Sequence, residues 1–297
     1  MKKFIRNFFC GLAFGITETI PGVSGGTVAL ILGFYGELIH SINNFRKEPK
    51  KTLGFVVPLL LGVASGILLL GSFISFLLAN FSFPTMLFFI GLISGVIPHI
   101  FKKTNKPGET FKPGAKDLAL FLLPALLLAL ASHLGESGAA GPAEQFGGVG
   151  PAKMLFIFAG GVVAAAALII PGVSGSFVLL MLGLYPLALY SVKMAGSFLS
   201  DFKNLELFAD ICAVLVPLAA GVLLGGLAMA RFIERLLGRH GKIVYTVILG
   251  LLAGSLYALF RNPITYQSGI SAPAIVFGVF TFAAGAFASF FIGRKRL

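Results

Sequence analysis

The sequence predicts an all-α polytopic membrane protein made of two inverted repeats, each a re-entrant helical hairpin followed by three transmembrane helices. Three observations support this prediction: an apolar composition, the placement of the basic residues, and an internal repeat. Of the 297 residues, 57% are hydrophobic and only 11% are charged, and the mean hydropathy is +0.96. A soluble domain usually carries about 25% charged residues, so the composition indicates a chain with several membrane spans.

Six stretches of the chain are apolar and long enough to cross a bilayer, which takes about 20 residues. They are residues 53–79, 84–101, 117–134, 208–230, 243–260 and 273–293. Two further apolar regions, 4–42 and 153–192, are each interrupted by the letters PGVSG. We therefore divide the chain into a first repeat, 1–134, an external linker, 135–152, and a second repeat, 153–297.

The basic residues decide how the two interrupted regions are oriented. The N-terminus, the gaps 43–52, 102–116 and 231–242, and the tail are rich in Lys and Arg, whereas 135–152 has none. If each interrupted region is a hairpin that enters and leaves the membrane on the same side, all strongly basic segments lie on one side of the membrane. If each crosses once, the five lysines of 102–116 lie outside. Because basic loops stay inside, we predict hairpins, with both termini cytoplasmic, and we assign the net charge of +12 to topology and not to nucleic-acid binding. Charge does not separate a re-entrant hairpin from two full spans joined by a tight turn, but the bend TETIPGVSGG has no basic or extended loop and favours the re-entrant form.

The two halves of the chain repeat each other. IPGVSGGTVALILGFY (20–35) aligns with IPGVSGSFVLLMLGLY (170–185) at an offset of 150, and VPLLLGVASGILLLGSFISFLL (57–78) aligns with VPLAAGVLLGGLAMARFIERLL (216–237) at an offset of 159. Each half holds one hairpin and three spans, and three is odd, so the second half is upside down relative to the first. Many secondary transporters share this plan and bind their substrate near the midplane, where discontinuous helices meet.

The repeated PGVSG motif has the chemistry of an anion site. Non-helical backbone at membrane depth is tolerated only where it is buried in protein or lines a wet cavity. After the Pro-Gly break a new helix starts, with unsatisfied N–H groups and a positive dipole end, and phosphate is a natural guest there. The predicted phosphate-binding residues are Pro21, Gly22, Ser24, Gly25, Gly26, Thr27, Pro171, Gly172, Ser174, Gly175 and Ser176. The alternative is that Gly and Ser only allow a tight bend, with Ser as an N-cap.

Four neighbouring residues are candidates for coupling or for lining a cavity: Thr17, Glu18, Tyr35 and Tyr185. An intramembrane carboxylate such as Glu18 is a functional hypothesis by default, and it can carry a proton or bind a cation. The alternative is hydrogen bonding to Thr17 or Thr19. The tyrosines match across the repeat and are expected to rim the cavity, with interfacial packing as the alternative. The sequence shows no metal-ligand spacing and predicts no cofactor beyond a coupling proton or sodium ion, between which it does not decide.

The TETIPGVSGGT stretch, the second PGVSGS motif and the two-half layout resemble the bacterial polyprenyl-phosphate (undecaprenyl-phosphate) transporter family. The resemblance covers essentially the whole chain. It implies a transporter, not an enzyme, that moves undecaprenyl phosphate from the outer to the inner leaflet of the bacterial cytoplasmic membrane and so recycles this lipid carrier. It also implies coupling to an ion gradient, with the lipid and the bilayer as partners. Oligomeric state is left open.

The first motif is also similar, more weakly, to the undecaprenyl-pyrophosphate phosphatase family, through Thr17, Glu18 and Pro21. The positions where that family carries His and Arg hold small residues here: Gly25, Gly26, Gly175 and Ser176. Pyrophosphate cleavage needs charge stabilisation and usually an acid–base group, and neither is evident. A phosphatase-like membrane enzyme remains one alternative, and an anion channel or small-anion transporter is the other.

Overall fold

The structure is a computed structural model that describes residues 2–20, 23–104, 114–135, 148–198 and 204–296. Within these ranges the regular secondary structure is helical. Five helical stretches are long and apolar enough to cross a membrane, and seven are if each of two bent helix pairs counts as one span. The predicted all-α polytopic membrane protein is therefore confirmed.

The helices fall into two series of similar order. The first is α1 (Lys2–Glu18), α2 (Gly25–Ile31), α3 (Tyr35–Asn44), α4 (Pro49–Ser65), a π-helical turn (Gly66–Leu70), α5 (Gly71–Lys102) and α6 (Ala115–Gly135). The second is α7 (Pro151–Ile169), α8 (Gly175–Met181), α9 (Tyr185–Phe198), α10 (Leu205–Arg261), a 3-10 turn (Pro263–Tyr266) and α11 (Ala272–Arg296).

Two helical stretches are too long to be single straight spans. Pro49–Lys102 has 54 residues and α10 has 57, so each would measure about 80 Å if straight, against a bilayer core of about 30 Å. Each is broken at one non-helical residue: Phe81 has φ −138° and ψ 44°, and His240 has φ −137° and ψ 44°. The repeat offset of 159 equates these two residues. The same break therefore recurs in both halves, in the gaps between the predicted spans.

Each interrupted region folds back on itself. Gly25, at the start of α2, lies against Glu18 at the end of α1, and Gly175 lies against Leu168, the repeat counterpart of Glu18. The chain then bends by 114° between α2 and α3 and by 109° between α8 and α9. The two hairpins are thus built alike, from one long helix and two short ones.

Contacts at the helix ends group the segments as the charge pattern predicts. Arg6, near the start of α1, pairs with Glu37 of α3 at 2.6 Å, so both ends of the first hairpin lie together. Lys242 pairs with Asp117 at 2.9 Å, which joins two further segments predicted to be cytoplasmic. The side of the membrane on which these segments lie stays a prediction.

The two predicted repeats exchange their last helices. Helix α11 packs along α5, and α6 packs along α10. Gly91 meets the Phe282 carbonyl at the first crossing, and its repeat counterpart Gly250 meets the Phe121 carbonyl at the second. The repeats are therefore packed into each other and are not separate domains. Their limits stay predictions, and residues 136–147 of the predicted linker lie outside the described residues.

We expect Gly91→Ala to lower the melting temperature in detergent by several degrees. A methyl group at Gly91 would collide with the backbone of α11, so the two helices must separate and lose the close packing that small residues allow. Gly54→Ala in α4 is the control, because nothing lies within 4 Å of its added methyl group. Equal melting temperatures for the two variants would show that this crossing contributes little to stability.

Candidate functional site

The structure brings the two PGVSG motifs together in one buried place. The Gly172 amide donates a hydrogen bond of 2.9 Å to Oγ1 of Thr27, and the Tyr35 hydroxyl donates one of 3.0 Å to the Ile169 carbonyl. Gly26 packs on the same turn, where an added methyl group would lie 2.9 Å from the Leu168 carbonyl oxygen. Segments 150 residues apart therefore form a single site.

Glycine is required for packing at the second motif. Gly172 has φ +93°, a left-handed conformation, and an added methyl group would lie 2.9 Å from the backbone of Leu251 in α10. Only glycine combines that backbone angle with so close an approach. Packing thus accounts for this glycine without a ligand. Pro21 and Gly22, the matching residues of the first motif, lie outside the described residues.

The first motif holds two buried polar atoms that lack partners. Ser24 is 2% exposed and takes the N-cap position of α2, yet its side chain makes no capping hydrogen bond. Among the described residues, Ser24 Oγ and Glu18 Oε1 are both buried without a hydrogen-bond partner. Burial of such a group without a partner costs about 1–3 kcal/mol, and a functional role is one explanation for it. Both atoms lie at the start of α2, which makes this end a candidate polar binding site.

The second motif, by contrast, satisfies its own hydroxyl groups. Ser174 caps α8 by accepting a hydrogen bond of 3.5 Å from the Phe177 amide, and its hydroxyl lies 2.8 Å from that of Ser176. All seven residues of α2 are buried, whereas Gly175 is the buried residue of α8. The sequence predicts phosphate-binding residues in both motifs, and in the structure the two motifs differ in burial and in how their serines are bonded.

The helix dipoles at the two motifs are small. Helices α2 and α8 have seven residues each, and a macrodipole is the sum of aligned peptide units, so each dipole is small. The amides of Thr27 and Val28 already donate to the Ser24 carbonyl. Attraction for an anion must therefore come from individual amide and hydroxyl groups at the motifs.

Threonine hydroxyl groups do not satisfy Glu18. Thr17 Oγ1 donates to the Phe14 carbonyl at 2.8 Å, and Thr19 Oγ1 donates to the Ile16 carbonyl at 2.6 Å. Each hydroxyl has one proton to donate, so neither donates to the carboxylate. The alternative explanation for Glu18 that the sequence offers is not realised. Its carboxyl group instead lies against Gly25, whose backbone amide is its hydrogen-bonding neighbour.

The two tyrosines occupy different environments. Tyr35 is 5% exposed and, through its bond to Ile169, ties the first hairpin to the second. Tyr185 begins α9 and is half-buried. Neither lines the apolar cavity beside the first motif. Tyr35 is therefore a contact between the repeats and does not rim that cavity.

An apolar cavity of about 690 Å³ adjoins the first motif. Its walls come from α1, α2, α5 and α11, and they include Thr17 and Val28, the direct neighbours in sequence of Glu18 and Thr27. Sequence reasoning missed this cavity, because most of its walls are ordinary apolar span residues that only the tertiary fold brings together.

A polar contact between the halves was also missed. Asn43 in α3 donates a hydrogen bond of 2.6 Å to Glu234 in α10, and His40 lies 3.5 Å from the same carboxylate. Glu234 is an acid among the arginines of RFIERLLGR, which is a weak signal without knowledge of the fold. The contact joins the end of the first hairpin to the second repeat.

Residues 14–273 match the family model described as undecaprenyl phosphate translocase-like. The chain is 30% identical over 259 residues to a polyprenyl-phosphate transporter of Staphylococcus aureus, covering 86% of this chain and 85% of that protein. It is 27% identical over 270 residues to a polyprenyl-phosphate transporter of Vibrio cholerae, covering 86% and 77%. No solved structure matches it significantly. The chain therefore belongs to the undecaprenyl phosphate translocase-like family.

Proposed function

We propose that this protein transports a polyprenyl phosphate from the outer to the inner leaflet of the bacterial cytoplasmic membrane, and that it is not a phosphate-cleaving enzyme. Family membership and the names of its two relatives support this proposal. The observation that carries the site is the pair of buried, unpartnered atoms, Ser24 Oγ and Glu18 Oε1, at the junction of the two motifs.

The phosphate headgroup binds at this junction. Phosphate oxygens are strong hydrogen-bond acceptors, and the Ser24 hydroxyl is a buried donor without a partner. The backbone amide of Gly26 completes the set, together with the one hydroxyl proton of the Ser174–Ser176 pair that is not used between the two serines. The described motif residues include no Lys or Arg, so neutral donors hold the phosphate. Moderate affinity suits a substrate that must be released on the other side.

Glu18 couples transport to a cation. Its carboxylate and the phosphate would both carry negative charge at the start of α2, and like charges in one buried site disfavour each other. Phosphate binding then requires that a proton or a sodium ion neutralise Glu18. Movement of this cation down its gradient would drive the cycle.

The contact between Asn43 and Glu234 closes one route to the site. It links α3 to α10 at the end of the bundle that carries the Arg6–Glu37 pair, which the charge pattern predicts to be cytoplasmic. For inward release the two halves must separate here. Alternating access would thus consist of one bundle rocking against the other, with this contact made in one state and broken in the other.

Ser24→Ala tests the phosphate site. We expect about 10- to 100-fold weaker binding of undecaprenyl phosphate to the purified protein, since a hydrogen bond to a charged group contributes about 1.5–3 kcal/mol. Because Ser24 Oγ has no partner in the free protein, the melting temperature should stay equal or rise. Ser174→Ala is the matched comparison, and it should lower the melting temperature by removing a cap.

Wild-type affinity in Ser24→Ala would contradict the proposed site. If wild-type protein binds no lipid phosphate but chloride stabilises it, the anion-channel alternative is favoured. Release of inorganic phosphate from undecaprenyl pyrophosphate would favour the phosphatase-like alternative.

A further inference from the structure

We infer that the apolar cavity beside the first motif holds the isoprenoid units nearest the phosphate, so that the protein binds part of the lipid chain as well as the headgroup. The inference rests on the proposed function, because it takes the phosphate to lie at the paired motifs. It adds a second binding element, which would let the protein distinguish a polyprenyl phosphate from other phosphates.

The cavity lies directly next to the polar site. Thr17 and Val28 line it, while their neighbours Glu18 and Thr27 belong to the polar site. The polar site and the cavity are therefore adjacent along both α1 and α2. A ligand that fills both places has a polar end joined to an apolar chain.

In the part of the chain that the structure describes, the walls of the cavity offer no free polar side chain to a ligand. The polar side chains of the lining are threonines 17, 85 and 281, and all three hydroxyls donate to backbone carbonyls: Thr17 to Phe14, Thr85 to Phe81 at 2.7 Å, and Thr281 to Pro84 at 2.7 Å. The remaining lining is apolar. A water molecule needs two to four polar partners to be held in a cavity, so these walls favour an apolar guest over a hydrated ion.

The size of the cavity limits how much of the isoprenoid chain of the lipid it holds. Its volume of about 690 Å³ falls within the usual range of sites for small organic ligands, roughly 300–1,000 Å³. That space suits a few isoprenoid units and not a whole polyprenyl chain. The remainder of the chain stays in the bilayer.

The walls of the cavity also reach the lipid-facing surface. Phe73, Phe81 and Phe277 line it and are 54%, 48% and 56% exposed. Phe81 lies at the break in α5, and Phe277 lies near the start of α11. The charge pattern places both segments toward the outer face. The lipid can therefore enter sideways from the outer leaflet with its chain in the membrane throughout.

A cavity-filling substitution tests the inference. Ala13→Phe places a ring in the cavity, and Val163→Phe is the matched control, because Val163 is the repeat counterpart of Ala13 and is 53% exposed. The probes are dimethylallyl, farnesyl and undecaprenyl phosphate, and the readout is how Kd depends on chain length. Wild type and Val163→Phe should bind the longer probes at least tenfold more tightly than dimethylallyl phosphate. Ala13→Phe should lose that gain and keep its affinity for the short probe.

The outcomes separate the two proposals. If wild-type protein binds none of the probes, the proposed function fails. If wild type binds them and Ala13→Phe keeps the wild-type dependence on chain length, the cavity inference alone is overturned. Should Ala13→Phe fail to fold, a photoreactive farnesyl phosphate on wild-type protein decides. Labelling at Phe88 and Leu92 supports the cavity, whereas labelling confined to surface residues such as Leu68 refutes it.

Discussion

Replacing Glu18 by Gln is expected to tighten binding of lipid phosphate at least tenfold at high pH, to make binding insensitive to the coupling cation, and to abolish gradient-driven transport. The Glu18 carboxyl group lies against Gly25 at the start of α2, and Gly25 directly follows Ser24, whose buried hydroxyl has no partner. Two unit charges about 4 Å apart repel by about 4 kcal/mol at an effective dielectric constant near 20. A neutral amide removes that repulsion and also the group that binds the cation.

Binding at several pH values and several sodium concentrations, followed by flux in liposomes with an imposed gradient, measures this effect. Glu37→Gln is the control, since Glu37 lies in the same hairpin but pairs with Arg6 at the surface. If lipid-phosphate binding to the wild-type protein depends on pH, the coupling cation is a proton. If it depends on sodium concentration at fixed pH, the coupling cation is sodium. A Glu18→Gln protein that still transports against a gradient would rule out Glu18 as the coupling group.

Gly172→Ala is expected to cause the largest loss of stability and to remove lipid-phosphate binding with it. The substitution forces a left-handed backbone on alanine, which costs about 1–2 kcal/mol, and it drives a methyl group into the backbone of Leu251. The turn would have to move, and the hydrogen bond from the Gly172 amide to Thr27 would break.

Gly183→Ala separates the two causes. Gly183 has φ +69°, but nothing lies within 4 Å of its added methyl group, so this variant carries the backbone strain without the collision. Melting curves in detergent should show a clearly larger drop for Gly172→Ala. Similar drops in melting temperature for the two variants would mean that the close contact between Gly172 and Leu251 of α10 contributes little to stability.

Much of the architecture was predictable because it depends on local properties of the chain. Span length and apolar content indicate membrane helices wherever they occur. The gaps between the predicted spans contain both Phe81 and His240, the residues at which the two long helical stretches break. Pro and Gly marked the end of α7 and the re-entry at α8, since these residues interrupt helices in any fold.

The candidate site was only partly predictable. The doubled motif indicated that two turns would meet, and Thr27 does contact Gly172. The difference between Ser24, which has no partner, and Ser174, which caps its helix, has one signal in the sequence: Ser176, whose hydroxyl lies 2.8 Å from that of Ser174, stands where the first motif has Gly26. It arises because α2 is enclosed by other helices while α8 is less covered.

The sequence by itself determined the class of the protein, the repeat, and the regions in which the helices break, because composition, charge placement and backbone-breaking residues act locally. Only the tertiary structure decided that α6 and α11 pack on the opposite repeat, that Glu18 Oε1 and Ser24 Oγ are buried without partners, and that a cavity adjoins the first motif. Each of these features depends on which side chains from distant segments come into contact, and in this chain similar apolar helices offer many such pairings.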